Sequence, residues 1–458
     1  MNSRTPLRCL AATALAAVAL LLAGCWRDRL VWSPDGTRAA IITDEGLHLC
    51  AADGKLTPLL APGVYRAAWL ADSQRLVLAR SRRLPDYAAL AAALGPRRTK
   101  ALATKAEVVW QQVLASPRGE FNVLIEPDDD LGAIVVYLRE HHGAALREKQ
   151  SEDPKNDPKE LEAFAADWHS LVVARLVGDR LEIGATLSEG LAKIHDLRPA
   201  PDSSAAAFVT HLELSPVPDD GLRLLVVPID GAAPAALVAS HTAAHPDWTP
   251  DSRTLVYLKA AGERSASKDL QLGALVERDV LDAAGHLRLA EKTRDLAGLI
   301  FQNENRVRCL RDGRVLFDAA EFHLPLAGHD HATREQLFAL DRTKDAAALT
   351  PLIRREQLER MGNTLTSFEV SPDERQVLFE AGDDVDVLTL ASGGVERVTL
   401  GAYNDSNKNP PLPVWRRPGE LVYLKKSGSR NELVLRRGAD ETILSRTWPD
   451  GVLEQLVK

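Results

Sequence analysis

The sequence predicts an all-β protein, a seven-bladed β-propeller with a helical insertion in its second blade. Three observations carry this: a tight-turn motif recurs along the chain, each copy leads into a short β-rich run, and a second strand pair around another turn follows. Four short strands per unit at this period are the pattern of a propeller blade.

The copies come in order. Trp32-Ser33-Pro34-Asp35-Gly36 leads into Ala39–Ile42, and Trp69-Leu70-Ala71-Asp72-Ser73 into Leu76–Leu78. Pro201-Asp202-Ser203 leads into Ala206–Val209, and Trp248-Thr249-Pro250-Asp251-Ser252 into Leu255–Leu258. Leu310-Arg311-Asp312-Gly313, Val370-Ser371-Pro372-Asp373-Glu374 and Trp415-Arg416-Arg417-Pro418-Gly419 complete seven, each before an apolar run. Pro fixes φ, and Asp-Gly or Asp-Ser makes the tight turn. The second strand pair is clear in Leu224–Ile229 with Ala236–Val238, and in Val385–Leu390 with Val395–Leu400. The copies at 201, 310 and 415 are degenerate, which leaves six or eight blades open. Trp448-Pro449-Asp450-Gly451 begins an eighth copy, but only Val452–Val457 follows. That segment is expected to be a last strand that pairs with the first blade and removes an exposed edge.

The W-S-P-D-G turn with its following apolar run resembles the repeat of the TolB-type propeller family, and that of the propeller domains of prolyl-oligopeptidase-like proteins. The resemblance spans nearly all of residues 30–447. It implies a propeller at 31–458 and, by fold analogy, a non-enzymatic protein-binding or scaffolding role. The Trp, Pro and Asp residues of the repeat are expected to build turns and packing, not a functional site.

Residues 84–165 do not fit the repeat. Residues 85–94, 99–114, 128–148 and 157–166 read as helices, with Leu131, Ile134, Val135 and Leu138 at helical spacing. Pro85 and Pro127 stand at N1 positions, and Asp128-Asp129-Asp130 suits a helix N-terminus. Insertions in repeat proteins map to one face, often the binding face.

The N-terminus reads as a lipoprotein signal. Arg4 and Arg8 precede an apolar run over residues 9–23, which ends in Leu22-Ala23-Gly24-Cys25. The run is shorter than the ~20 residues of a spanning helix and suits a signal peptide. The last four residues resemble the lipobox of bacterial lipoproteins. The resemblance implies cleavage after residue 24, acylation of Cys25, a short tether over 25–30 and membrane attachment through that cysteine. Trp26 stands where retention at the inner membrane would call for Asp. The expected location is therefore the outer membrane, facing the periplasm, with an envelope protein as partner and a monomeric chain.

Removal of residues 1–24 takes the formal net charge from −8 to −10. An acidic chain is a poor ligand for nucleic acid, which needs clustered Lys and Arg. Once Cys25 is acylated, Cys50 and Cys309 are the one pair left for a disulfide, which an oxidising compartment allows; they read rather as two separate thiols that behave as small hydrophobes.

There is no G-x-S-x-G, P-loop, C-x-x-C or H-E-x-x-H. No catalytic residues and no cofactor are assigned. His141-His142 read as surface residues on a helix. The metal-like cluster is His323, His329 and His331 beside Asp330, a weak signal in a Gly-containing loop. Tyr403–Asn409 is a polar stretch between blades. The alternative to a scaffold is an enzyme or small-molecule binder that uses the central channel. A channel lined by convergent His, Asp and Arg would favour that alternative, and a small, apolar lining would favour the scaffold.

Overall fold

The computed structural model describes residues 29–115, 130–151, 165–211, 222–264, 271–321, 334–344, 348–360, 365–381, 384–398, 413–427, 430–449 and 451–456. Cys25, the His323–His331 cluster and Tyr403–Asn409 lie outside them.

The first sheet comprises β1 (Leu30–Trp32), β2 (Arg38–Ile42), β3 (Gly46–Ala51) and β4 (Ala61–Pro62). The second comprises β5 (Val64–Trp69), β6 (Arg75–Leu84), β7 (Ala166–Val177) and β8 (Arg180–Gly190). The third comprises β9 (Lys193–Pro199), β10 (Ala205–His211), β11 (Arg223–Pro228) and β12 (Ala236–Ser240). Next come β13 (Asp247–Trp248), β14 (Thr254–Arg264), β15 (Gln271–Asp279) and β16 (Arg294–Phe301), then β17 (Val307–Cys309), β18 (Arg314–Glu321), β19 (Arg334–Asp341) and β20 (Thr350–Pro351). The chain ends with a sheet of β21 (Leu365–Val370), β22 (Gln376–Ala381), β23 (Asp384–Thr389) and β24 (Gly394–Val398), and another of β25 (Val414–Arg417), β26 (Glu420–Ser427), β27 (Arg430–Arg437) and β28 (Asp440–Ile443).

The architecture is an all-β propeller, but the expected seven separate four-stranded blades are not found. Five sheets are four-stranded, and β13–β20 form one eight-stranded sheet. The cause is a pairing the sequence does not announce: Ile300 of β16 lies in antiparallel register with Ala320 of β18 and joins two repeats edge to edge.

The repeated turn explains itself in atoms. Each Asp accepts a backbone N–H two residues on: Thr37 N to Asp35 (3.0 Å), Ser204 N to Asp202 (2.9 Å), Arg314 N to Asp312 (3.0 Å). The residue after Asp has positive φ, as at Gly36 (65°), Ser73 (55°), Ser203 (64°) and Ser252 (63°). Where it is Ser, the side chain also serves the preceding turn. Asp35 N donates to Ser73 Oγ (3.2 Å), Ala71 N to Ser203 Oγ (2.9 Å) and Asp202 N to Ser252 Oγ (3.0 Å). The repeat Trp does the same one layer in. Trp69 Nε1 donates to Val31 O (2.9 Å) and Trp248 Nε1 to Arg198 O (2.8 Å).

The core lies between neighbouring sheets. Ile42 and Leu47 of the first sheet pack with Leu76 and Val172 of the second, and Leu224 of the third with Tyr257 of the next. The same holds between the ends of the chain, where Leu30 and Ile41 meet Val422 and Leu433 and close the ring. Fully burying one such side chain contributes ~1.5–3 kcal/mol. Among the described residues no strand is exchanged at the closure. Val452–Leu456, expected as a strand, is a short helix whose buried Val452, Leu453 and Leu456 cap the shared cluster.

The insertion sits between β6 and β7. Its helices are α1 (Tyr87–Ala115), broken at Gly95 where φ is 72°, and α2 (Leu131–Ser151). A six-residue helix, α3, spans Arg355–Arg360, and the C-terminal helix is α4. Trp110 and Val113 of α1 pack against Ile134 and Leu138 of α2 as a core of their own. Ala166 belongs to β7, so the helix expected over 157–166 does not extend there, and 157–164 lie outside the described residues. His141 is exposed and His142 half-buried, and both have partners. His141 stacks on Tyr137 with centroids 4.1 Å apart, and His142 Nε2 lies 2.9 Å from Glu107 of the facing helix. No helix among the described residues is long and apolar enough to cross a membrane. Cys50 and Cys309 are both free thiols.

Candidate functional site in the central channel

The strands that lead into the repeated turns converge on the axis, and between them lies a cavity of about 400 Å³. Its wall carries Arg66 from β5, Asp196 and Arg198 from β9, Asp247 from β13, Arg308 from β17 with Arg306 just ahead of it, and Glu369 from β21. A propeller with a net negative charge thus concentrates four arginines in its channel.

Their counter-charges are unequal. Arg198 Nε lies 3.1 Å from Asp196 Oδ2. Burial works against the Asp196 charge, but Arg198 and then His245 outweigh it and hold its carboxyl well below the usual range. Burial and the neighbouring Arg198 press the Arg308 guanidinium down to about 10. Burial raises the Asp247 carboxyl, despite Arg308. Arg306 is 4% exposed and lines the cavity wall.

A histidine cluster adjoins Asp196. His245 Nδ1 lies 3.1 Å from Asp196 Oδ2, and His245 Nε2 lies 3.5 Å from Glu304 Oε2. His195 Nε2 lies 3.5 Å from Glu304 Oε1. His245 is 3% exposed, and neither ring nitrogen makes a hydrogen bond of ordinary geometry. The His211 ring stands edge-on to His195 at 5.4 Å. Burial, helped by His195 and Lys193, lowers the His211 imidazole to about 3, which keeps it neutral.

Local structure brings these groups together. In β9 the register to β10 shifts between Asp196↔Val209 and Ile194↔Thr210, so His195 is the extra residue of a β-bulge. Bulges re-aim side chains, and here His195 and Asp196 reach the same cluster. Glu304 sits on the connector between β16 and β17. Asn305 N donates to Gln302 O (3.1 Å), Ala244 N to Asn303 O (2.7 Å) and Val307 N to His245 O (3.0 Å). Asn305 Nδ2 is anchored on buried Asp318 at 2.8 Å. The connector and the segment around His245 are therefore stitched into one wall.

No family model matches the sequence, and no curated protein matches it. Solved structures to which the chain is similar share 12% identity with it. The tricorn protease aligns over 81% of this chain and 30% of its own, with a TM-score of 0.42. A TolB-like protein from Agrobacterium tumefaciens aligns over 58% of this chain and 84% of its own, with a TM-score of 0.35. The β-propeller domain of the Trilobed protease from Pyrococcus furiosus aligns over 61% and 87%, with a TM-score of 0.31. The chain spans less than a third of the tricorn protease.

None of the charged residues of the channel was singled out from the sequence, and Trp32, Pro34, Trp69 and Trp415, which also line it, were read there as turn and packing residues. His195, His245 and Glu304 are spread over more than a hundred positions and form no motif. The available signal was positional. A polar residue just before the turn, as at Arg66, Asp247 or Arg308, falls on an axial strand.

Proposed function

We propose that this is a lipid-anchored propeller of the bacterial envelope that binds a small anionic ligand in its central channel. The observation that carries the reading is Arg306, which lines the cavity wall among three further arginines. A guanidinium that faces a cavity can hold an anion through charge-assisted hydrogen bonds. Arg66, Arg198 and Arg308 add to the positive field. The convergent Asp, Glu and Arg lining, with the histidine cluster adjoining Asp196, favours a channel binder over a scaffold with an inert channel. The envelope location rests on the Leu22–Cys25 box and its preceding charged and apolar regions.

The test is calorimetry on the full chain in detergent with inorganic phosphate, citrate and a short peptide carrying a free C-terminus. At least one should bind, and Arg306→Gln should weaken it by roughly 10–100-fold, the loss of one charged hydrogen-bonding group. Absence of binding by all three, or binding untouched by Arg306→Gln, would overturn the reading. For the anchor, Cys25→Ser should abolish acyl labelling and processing; persistent labelling would remove the lipoprotein assignment.

A further inference from the structure

We infer that His195, His245 and Glu304 form a binding site for a divalent transition metal ion of the zinc class. The inference goes beyond anion binding and stands without it, because none of the three lines the arginine cavity.

The donor set is the first argument. One atom from each residue lies within 4.8 Å of the others, and both histidine–carboxylate distances are 3.5 Å. Ligands on a tetrahedral ion with bonds of about 2.0–2.1 Å are roughly 3.3 Å apart, so the three side chains, with the two histidines on different Glu304 oxygens, would draw together to seat one. Two imidazoles and a carboxylate suit zinc and its neighbours, and reject calcium and magnesium, which take oxygen ligands.

The second argument is His245 itself. It is buried, yet both ring nitrogens lack an ordinary hydrogen bond. A fold tolerates such a group poorly unless it has another partner. Nε2 faces the His195–Glu304 pair, while Nδ1 has a carboxylate, Asp196, behind it at 3.1 Å. A carboxylate behind a metal-bound histidine fixes the ring and raises its basicity. Asp196 is thus a positioning residue, and three protein ligands leave a position for water or a further ligand.

The third is how the ligands are mounted. His195 sits on a bulge, His245 on the segment entering β13, and Glu304 on a connector tied to that segment. They come from two sheets, so a bound ion would cross-link them.

The experiment uses the full chain in detergent, without a polyhistidine tag, dialysed against a chelator and then titrated with Co²⁺ and Zn²⁺. The wild type should take up one ion per chain, with Co²⁺ giving the intense visible absorption of a four-coordinate site. His195→Ala and Glu304→Gln should each lose stoichiometric uptake. Asp196→Asn should weaken it by about 10–100-fold while the spectrum keeps its shape. Melting curves of each variant without metal separate lost ligands from lost fold. Glu304 is half exposed and its replacement conservative, so that variant tests the site even if a histidine variant unfolds. No stoichiometric uptake by the wild type would overturn the inference. So would uptake unchanged in Glu304→Gln, which would place the metal elsewhere, for instance on His323, His329 and His331.

Discussion

Arg416 lies over the indole of Trp32, its guanidinium carbon 4.9 Å from the ring centroid. The two residues come from the last and first sheets. Elsewhere the repeat Trp donates its N–H to the preceding sheet, but Trp32 Nε1 has no hydrogen-bond partner among the described residues. The arginine takes over that junction, and its Nε also donates to Gly36 O at 2.9 Å. Arg416→Ala should therefore destabilise the protein by about 2–3 kcal/mol, the sum of a cation–π contact and a charged hydrogen bond. The urea midpoint should fall with little change in slope. Gly54 supplies an independent check. Its φ is +90°, and an added Cβ would stand 2.0 Å from Leu444 O in the last sheet. Gly54→Ala should cost at least as much.

The turn-to-turn serines predict a graded effect. Ser203→Ala removes the acceptor for Ala71 N and should cost ~1 kcal/mol. Ser203→Gly removes the same bond but relieves the positive φ, so it should cost less. Equal losses in thermal melts would show that strain at this position is negligible.

Glu335 makes stability depend on pH. Burial, with Asp318 nearby, lifts its carboxyl from 4.5 to about 7. Between those values the folded chain keeps a proton that the unfolded chain has released, so stability falls as pH rises through this window and levels off above it. Glu335→Gln should flatten this part of the profile, a difference of about 2 kcal/mol between pH 4.5 and pH 7. Urea melts across that range measure it.

The helical insertion should be removable. Leu84 of β6 is in register with Ala166 of β7, so a short turn can replace residues 86–164. Because α1 and α2 pack largely on one another, the shortened chain should still melt cooperatively. It should lose a little stability from newly exposed Leu84 and Trp168. Failure to fold would make the helices part of the ring's core.

The repeat was legible because its chemistry is local: Asp35, Asp72 and Asp202 each bond a backbone two residues away. The fused sheet was not, since one Ile300–Ala320 pairing leaves no trace in period or composition. The terminal helix was misread because Val452, Leu453 and Leu456 are apolar at spacings that suit strand or helix over so short a run. The channel site was hidden for another reason. The bulge at His195 shifts the strand's alternation by one, so a simple period-2 reading misassigns the residues around it.

The edge-to-edge joint at Ile300 and Ala320 gives the ring a stiff quadrant. Most neighbouring sheets meet through their side chains, whereas β13–β20 are joined into one sheet through that single backbone pairing. That sheet carries Asp247, Glu304, Arg306 and Arg308, which makes it the anvil of the channel.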